Sequence, residues 1–322
     1  MSFSSKKFFA ASVLWLTTLS AASAADVPAL LAEGRVDEAI ASLQGRLSTA
    51  PNDAESYNLL CRAYFSLGHW DRGIPYCEKA VKLSPDNSNY HMWLGRIYGE
   101  KADRAGFLTA AGLAGKVRSE FETAVKLDPS NAAARTDLAE FYLEAPGIVG
   151  GGRDKAEAQA KALDALDPSQ AHWVRGRIAE KNKDLVTAEK EYRASIAVSD
   201  GSALSWLNLA LFFRNRNRLD EMEDAIRHAA AVQTGNSEVL VDAAATLNRT
   251  GRNIPAAIEL LRRYLSSRST VEAAPAFKAH YLLGTLLEKE GDKQAAAQEY
   301  RSALALAKSY SAAEDALNRL NR

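Results

Sequence analysis

The sequence contains little cysteine, little proline and no excess of charge of either sign. Its 322 residues include two cysteines, nine prolines, 40 basic and 40 acidic side chains. Because the charges balance, the composition gives no overall attraction for nucleic acid, for an anionic membrane surface or for an acidic substrate. With 47% hydrophobic and 25% charged residues, it is the composition of a folded chain rather than a disordered one. We therefore expect no nucleic-acid partner.

Residue patterns for metal, cofactor or catalysis are also missing. The five histidines are scattered, and the sequence has neither a His-x3-His pair nor a Cys-x2-Cys pair, the spacings that favour zinc. Serine, histidine and aspartate are present, but nothing in their order groups them into a triad. We expect no enzyme activity, no catalytic residue, no metal and no cofactor.

Residues 144–156, EAPGIVGGGRDKA, raise the question of a phosphate-binding loop. A P-loop needs Gly-x4-Gly-Lys-Ser/Thr after a β-strand, whereas residues 150–152 are three glycines followed by Arg153-Asp154-Lys155-Ala156, with no hydroxyl. The segment is interpreted as a long turn between two helices. Contact of this turn with a partner is an open alternative.

The N-terminus has the only long apolar run. Lys6 and Lys7 precede the apolar residues 8–19, and Ala22-Ser23-Ala24 then supplies small residues of the kind a signal peptidase accepts. Residues 1–24 are predicted to be a cleavable signal peptide, so that the mature chain starts at Ala25; an uncleaved N-terminal anchor is the alternative. The run is shorter than the roughly 20 residues that a bilayer span needs, and we expect a protein that is exported to the periplasm or another extracytoplasmic compartment, with no stable membrane span after cleavage.

A small residue recurs along the rest of the chain and marks a repeat. It is found at Cys61, Gly95, Ala139, Gly176, Ala210, Ala244 and Gly284, and three of the six intervals are 34 residues. Leucine precedes most of these positions, and tyrosine, phenylalanine or leucine follows three residues after most of them, which gives one apolar stripe at helical spacing. His91, His172 and His280 stand four residues before the small position and are interpreted as packing residues.

These positions resemble the tetratricopeptide repeat. Its signature is an aromatic, a Leu-Gly pair and a tyrosine in a first helix, then a small residue, an aromatic, an alanine and a proline. The chain supplies Tyr57, Leu60, Cys61, Tyr64, Gly73, Cys77, Ala80 and Pro85. The resemblance implies an all-α, right-handed α-α superhelical solenoid of about eight helical hairpins over residues 25–322, with a capping helix at residues 311–320.

Two units are longer than the others. The extra residues lie near 100–116 and 144–154. If both insertions fold over the groove of the solenoid, they gate it.

In such an array the first helices line a concave groove, and side chains outside the packing positions face a ligand. The predicted partner-binding residues are Asn58, Arg62, Met92, Arg96, Trp173, Arg177, Leu204, Leu207, Leu211, Val241 and Tyr281. Arginine in the N-terminal half suits carboxylate recognition, and the apolar C-terminal half suits an apolar surface of a partner. For Leu204, Leu207 and Leu211, burial by a neighbouring inserted segment or by a second copy is the alternative.

The leading functional hypothesis is a non-enzymatic scaffold or adaptor of the cell envelope that holds a peptide segment of another protein in its groove. An accessory subunit of an envelope assembly, polysaccharide or secretion machine, with carbohydrate-acting activity, is the alternative; Glu140 and Glu144 near Trp173 are its only hint. Self-association through uncovered end repeats is a third hypothesis.

Cys61 and Cys77 fall on facing helices of one hairpin. An exported protein meets an oxidising compartment, which favours a disulfide between them. Two small buried thiols are equally compatible with the pattern.

Overall fold

The computed structural model describes residues 26–232, 238–267 and 270–320, and the predicted signal peptide lies outside this range. The described residues form seventeen α-helices and no strand. The helices are α1 Val27–Ala32, α2 Val36–Thr49, α3 Ala54–Leu67, α4 Trp70–Leu83, α5 Ser88–Arg104, α6 Phe107–Leu127, α7 Ala132–Glu144, α8 Arg153–Leu163, α9 Pro168–Lys181, α10 Leu185–Val198, α11 Ala203–Asn215, α12 Leu219–Ala231, α13 Glu238–Thr250, α14 Ile254–Ser266, α15 Ala276–Lys289, α16 Lys293–Leu306 and α17 Ser311–Leu320.

Consecutive helices pair into eight hairpins, numbered 1 (α1–α2) to 8 (α15–α16), and α17 packs on the last of them. The first helix of hairpin 1 has only six residues. The all-α superhelical repeat fold is thereby confirmed.

Side-chain caps start many of the first helices. Asp53, Asn87 and Asn131 each accept a hydrogen bond from a backbone N–H in the first turn of α3, α5 and α7. Each of them follows a proline by two residues. The proline ends the preceding helix and the Asx residue satisfies the orphan donors of the next one, so the short linkers between hairpins are specified locally.

In hairpins 3, 5 and 8 a glycine of the first helix meets an aromatic ring of the second helix. A Cβ added at Gly95 would stand 2.5 Å from the Phe121 ring, and one at Gly284 would stand 2.6 Å from the Tyr300 ring. Both distances are far below van der Waals contact. The recurring small position is therefore a steric requirement of the hairpin.

Hairpin 2 replaces this contact by a covalent bond. Cys61 occupies the small position, Cys77 occupies the position of the ring, and the two form a disulfide with Cα atoms 5.2 Å apart. Both residues are fully buried. The bond fixes α3 against α4 where other hairpins rely on packing.

The two ends of the array pack against each other. Phe277 of α15 is fully buried in one apolar cluster with residues of α1, α2 and α3, among them Leu31. A Cβ at Gly34 would stand 2.7 Å from the backbone nitrogen of Ala276. The array therefore closes on itself, and the end repeats cover each other, which removes the basis for self-association through uncovered ends.

The two insertions extend one edge of the array. The first lengthens α6 to 21 residues, against 14 for α4. In the second, a 3-10 turn at Gly147–Val149 folds back on its own hairpin, where the Gly152 N–H donates to the Tyr142 carbonyl at 2.8 Å. The turn also accepts a hydrogen bond at the Val149 carbonyl from Arg118 of α6. These contacts place the 3-10 turn against its own hairpin and against α6. They give no support to the hypothesis that the insertions gate the groove.

Gly95→Ala is expected to lower the free energy of unfolding by about 1 to 3 kcal/mol, because the added methyl overpacks the contact with Phe121. Gly99→Ala in the same helix is the matched control. Nothing lies within 4 Å of a Cβ at Gly99, so this change should stabilise α5 by about 0.5 to 1 kcal/mol. Urea unfolding followed by circular dichroism measures both, and equal effects of the two variants would contradict the steric account.

Candidate functional site

The first helices of hairpins 4, 5 and 6 surround a cavity of about 530 Å³ on the concave side. Its lining residues are Glu140, Glu144, Trp173, Arg177, Glu180, Lys181, Tyr192, Asn208, Leu211, Phe212, Arg214, Asn215 and Arg216. Charged side chains form most of the wall, and Leu211, Phe212 and Trp173 add an apolar side. The cavity therefore suits a ligand that carries both charge and an apolar group.

Ion pairs join α7 to α9 at one wall of the cavity. Arg177 donates to Glu140 at 3.2 Å and to Glu144 at 2.6 Å, and Lys181 donates to Glu144 at 2.6 Å. Burial opposes the charge of Arg177, but the two glutamates keep its pKa above the ordinary value. Its guanidinium also lies 5.4 Å from the centroid of the Trp173 ring. Both carboxylates lie on one helix and are paired with cations, which gives them no facing arrangement for acid-base chemistry on a carbohydrate.

A second set of contacts joins α9 to α10 and to Arg216 at the end of α11. Glu180 accepts a hydrogen bond from the Tyr192 hydroxyl at 2.6 Å and one from Arg216 at 3.0 Å. Burial raises the pKa of Tyr192 well above its ordinary value, and the Glu180 carboxylate adds to this effect. Tyr192 is therefore a fixed hydrogen-bond donor that orients Glu180 toward Arg216.

Arg214 differs from the other cations of the cavity. Its guanidinium donates to the Asn215 side-chain oxygen, at 3.0 Å from Nη2, and within the described residues it has no carboxylate partner. Burial lowers its pKa, and the neighbouring Arg249 lowers it further. Arg214 thus has an arginine as its charged neighbour and no carboxylate partner of its own among the described residues. This arrangement favours an added carboxylate.

The arginines of the N-terminal half are already paired. Arg62 donates to Glu272 of the α14–α15 linker, at 2.8 Å from Nε, and Arg96 donates to Asp137 at 2.6 Å. Both guanidinium groups lie about 5 Å from the centroid of the Trp93 ring, at 5.0 and 4.9 Å. They do bind carboxylates, as the sequence pattern suggests, but the carboxylates belong to the chain itself.

Four predicted partner-binding residues are covered within the chain. Asn58, Met92, Leu207 and Val241 are 3%, 6%, 2% and 8% exposed. Leu207 packs in the large apolar cluster of hairpins 5 to 8, so the helices of the neighbouring hairpins bury it, rather than an inserted segment or a second copy. Leu204 stays exposed and Tyr281 is half-buried beside Tyr300 and Tyr310. Buried side chains offer no surface to a partner in this conformation, and we leave these four out of the proposed site.

Trp173, Arg177 and Leu211 are brought together in the cavity, and the prediction missed the residues one helical turn further on. Lys181 and Asn215 follow Arg177 and Leu211 by four residues, as Glu144 follows Glu140. A helix face continues at this spacing. Extending the predicted face by one turn would have found them, and Arg214 stands next to it.

Three histidines bind carboxylates of the second helix in their own hairpins. The Nδ1 atoms of His91, His172 and His280 lie 2.6, 2.7 and 2.6 Å from Glu120, Glu191 and Glu299. The hydrogen bond to Glu120 raises the pKa of His91. These contacts tie the two helices of a hairpin together. Among the described residues no cluster of histidine, cysteine, aspartate and glutamate has the arrangement of a metal site.

The concave surface also carries an acidic pair on α13. Burial raises the pKa of Asp242 to about 6, and the charge of Glu238 adds to this effect, whereas Arg249 and Lys278 oppose it. Lys278 of α15 has its own pKa lowered by burial and lies near Glu100 of α5. The Asp242 side chain is accessible to solvent. Because the array closes on itself, this side chain nevertheless lies on the inner surface, where other parts of the protein surround it.

The fold and this concave site define an α-helical repeat solenoid. Sequence models of the tetratricopeptide repeat match residues 30–97 and 243–311, and the chain thus contains tetratricopeptide repeats at both ends of the array. Proteins built from this repeat are generally protein-interaction scaffolds. No described helix has both the length and the hydropathy to cross a membrane.

Solved structures of repeat proteins resemble the chain. Yeast Tom70 is similar with a TM-score of 0.52 at 16% identity, over 89% of this chain and 59% of that one. The Cut9–Hcn1 hetero-tetramer of the APC/C gives 0.41 at 15% identity, over 91% and 54%. A thermophilic tetratricopeptide-repeat protein of Thermus thermophilus gives 0.49 at 20% identity, over 59% and 99%. The chain thus spans little more than half of the Tom70 and Cut9–Hcn1 chains, and the likeness to Tom70 concerns the fold alone. No curated protein matches the chain.

Asp242→Asn is expected to stabilise the protein at pH 7 and to have a smaller effect toward pH 4. The raised pKa means that the folded state binds the Asp242 proton more tightly than the unfolded state, so this contribution to stability falls as pH rises from about 4 to about 6. After allowance for solvent screening the gain at pH 7 is about 1 kcal/mol. Urea unfolding across this pH range measures it. Asp315→Asn on the exposed side of α17 is the control, and a gain independent of pH would contradict the assignment.

Proposed function

We propose that the protein is a non-enzymatic interaction scaffold that holds an acidic segment of another protein in the cavity of hairpins 4 to 6. The single observation that carries this proposal is Arg214, a half-buried guanidinium in the cavity wall without a carboxylate partner among the described residues. The lining has four cations and three carboxylates. A carboxylate of a ligand would complete the set.

The cavity also explains why the segment should carry an apolar residue next to its acid. Leu211 and Trp173 are half-buried in the wall, and a partner's apolar side chain would remove them from water. Full burial of one such side chain is worth about 1.5 to 3 kcal/mol. The cavity volume admits only a few side chains, so the cavity can bind a short motif but not a long helix.

Two features support export of the protein. The N-terminal residues have the charge, the apolar run and the small residues of a signal peptide. Cys61 and Cys77 form a disulfide, a bond that persists in oxidising compartments and is rare in the cytosol. A periplasmic or other extracytoplasmic location follows as a proposal, and the partner is then a protein of the same compartment.

Export is expected to leave a chain that starts at Ala25 and has no free thiol. Intact-mass analysis of the protein from the extracytoplasmic fraction identifies its first residue, and thiol titration after denaturation counts the cysteines. Two titratable thiols, or a mass that includes residues 1–24, would contradict this. Loss of the disulfide by Cys61→Ala with Cys77→Ala should cost about 3 kcal/mol of stability, the value for a closed loop of this size.

Arg214→Glu is expected to weaken binding of an acidic peptide about tenfold or more, because it removes a charge-assisted hydrogen bond and adds repulsion. Fluorescein-labelled peptides with adjacent glutamate and leucine residues, and their lysine counterparts, serve as probes in anisotropy titrations. Arg227→Glu makes the same charge change on the exposed side of α12 and is the control. Equal affinity of the wild type for acidic and basic peptides, or equal losses in both variants, would overturn the proposal.

A further inference from the structure

Large apolar side chains are exposed in a row along one edge of the array. Eight such side chains are exposed among the described residues, and five of them lie at the turns between first and second helices of hairpins 3, 4 and 5. They are Phe107, Leu108, Ile148, Leu185 and Val186. Phe107, Leu108 and Ile148 are 84%, 85% and 95% exposed. Exposure this complete, repeated in three consecutive turns, is unusual on a soluble surface.

Hydrogen bonds link the elements that carry these side chains. Arg118 of α6 donates to the Val149 carbonyl of the next turn at 3.4 Å. Arg153, at the end of that turn, donates to Asn182 in the turn of hairpin 5. We call the turns of hairpins 3 to 5, with Phe107, Leu108, Ile148, Leu185 and Val186, the apolar edge.

The corresponding turns of the following hairpins lie within the described residues and expose no large apolar side chain. The second helices of hairpins 6 and 7 also begin with an apolar residue, Leu219 and Ile254, but both are partly buried, and that of hairpin 8 begins with Lys293. Turn geometry does not require apolar residues at this place. The apolar edge is a property of hairpins 3 to 5.

Cations without a carboxylate partner accompany the apolar edge. Arg104 lies 4.6 Å from the Trp70 ring, Lys116 lies 4.9 Å from the Tyr98 ring and Lys155 lies 5.3 Å from the Tyr142 ring. No ion pair involves any of these three among the described residues. An aromatic face orients a cation without neutralising it, so the positive charges stay available to an anion.

The first insertion makes this edge protrude. The seven additional residues of α6 relative to α4 carry its N-terminus about 10 Å beyond the hairpin turns of normal length. Phe107 and Leu108 are the first two residues of that helix. Phe107 and Leu108 therefore lie where the edge protrudes furthest from the array.

We propose that the apolar edge docks on a lipid bilayer whose surface carries anionic headgroups. One or two apolar side chains on each of several separate turns suit insertion between headgroups, where each reaches the acyl boundary independently. Arg104, Lys116 and Lys155 lie beside them and attract lipid phosphate. A protein pocket would instead require a contiguous apolar face. The bilayer contact is peripheral and holds the scaffold on the surface.

Vesicle flotation of the mature chain, residues 25–322, tests this proposal. The probes are vesicles of phosphatidylcholine with added phosphatidylglycerol and vesicles of phosphatidylcholine alone. The wild type should float with the anionic vesicles, and Phe107→Ser with Leu108→Ser and Ile148→Ser should lower its partitioning about tenfold or more. Arg104→Gln with Lys116→Gln should abolish the preference for the anionic vesicles.

Leu166→Ser with Val198→Ser is the matched control, because Leu166 is an exposed residue of the α8–α9 linker and Val198 is the exposed last residue of α10, both at the opposite ends of the helices from the apolar edge. Circular dichroism checks that each variant is folded. The proposal is overturned if the wild type stays unbound with anionic vesicles, or if the control loses as much binding as the triple variant. A concentration-dependent dimer in sedimentation velocity that the triple variant abolishes, without vesicle binding, would assign the edge to a second copy instead.

Discussion

The array depends on one steric constraint, which is that the two helices of a hairpin approach closely only where a small residue faces a large side chain. Gly95 against Phe121 and Gly284 against Tyr300 satisfy it by packing, and Cys61 with Cys77 satisfies it by a bond. Each contact sets the distance between a first and a second helix. Since every hairpin rests on its neighbours, these distances determine where the first helices stand around the concave side and how wide the cavity between α7, α9 and α11 is.

The same locality explains what the sequence could predict. A small residue and the ring that it faces lie within one hairpin, so their spacing repeats and is visible without a structure. The phase predicts the eight hairpins and the capping helix at residues 311–320. Helical spacing also predicts that Trp173, Arg177 and Leu211 share the concave face. It does not predict what lies opposite a face, which is why Leu207 was assigned to the groove although the next hairpins bury it.

Contacts between distant parts of the chain have no periodic signal. Glu272 binds Arg62 over a separation of 210 residues, and Phe277 packs among the helices of hairpin 1. Neither residue stands out by its position in the repeat. The concave surface therefore has a different charge pattern from the one that its arginines suggest. The arginines of its N-terminal half are neutralised by carboxylates of the chain itself. Desolvated ion pairs of this kind order the helices more than they stabilise the fold.

Closure of the array also determines how the cavity can respond to a ligand. In an open solenoid the angle between neighbouring hairpins can change at little cost, and the groove adapts to its occupant. Here such a change would separate the ends and expose Phe277 and Leu31 to water, at about 1.5 to 3 kcal/mol for each large side chain. The backbones of Gly34 and Ala276 are in close contact, so the two ends of the array have no free space between them at this point. The positions of Arg177 and Arg214 are therefore set before a ligand arrives, and a preorganised cavity loses less ordering entropy on binding. The cavity is then a rigid site at one side of the ring, maintained by apolar packing where the two ends of the array meet.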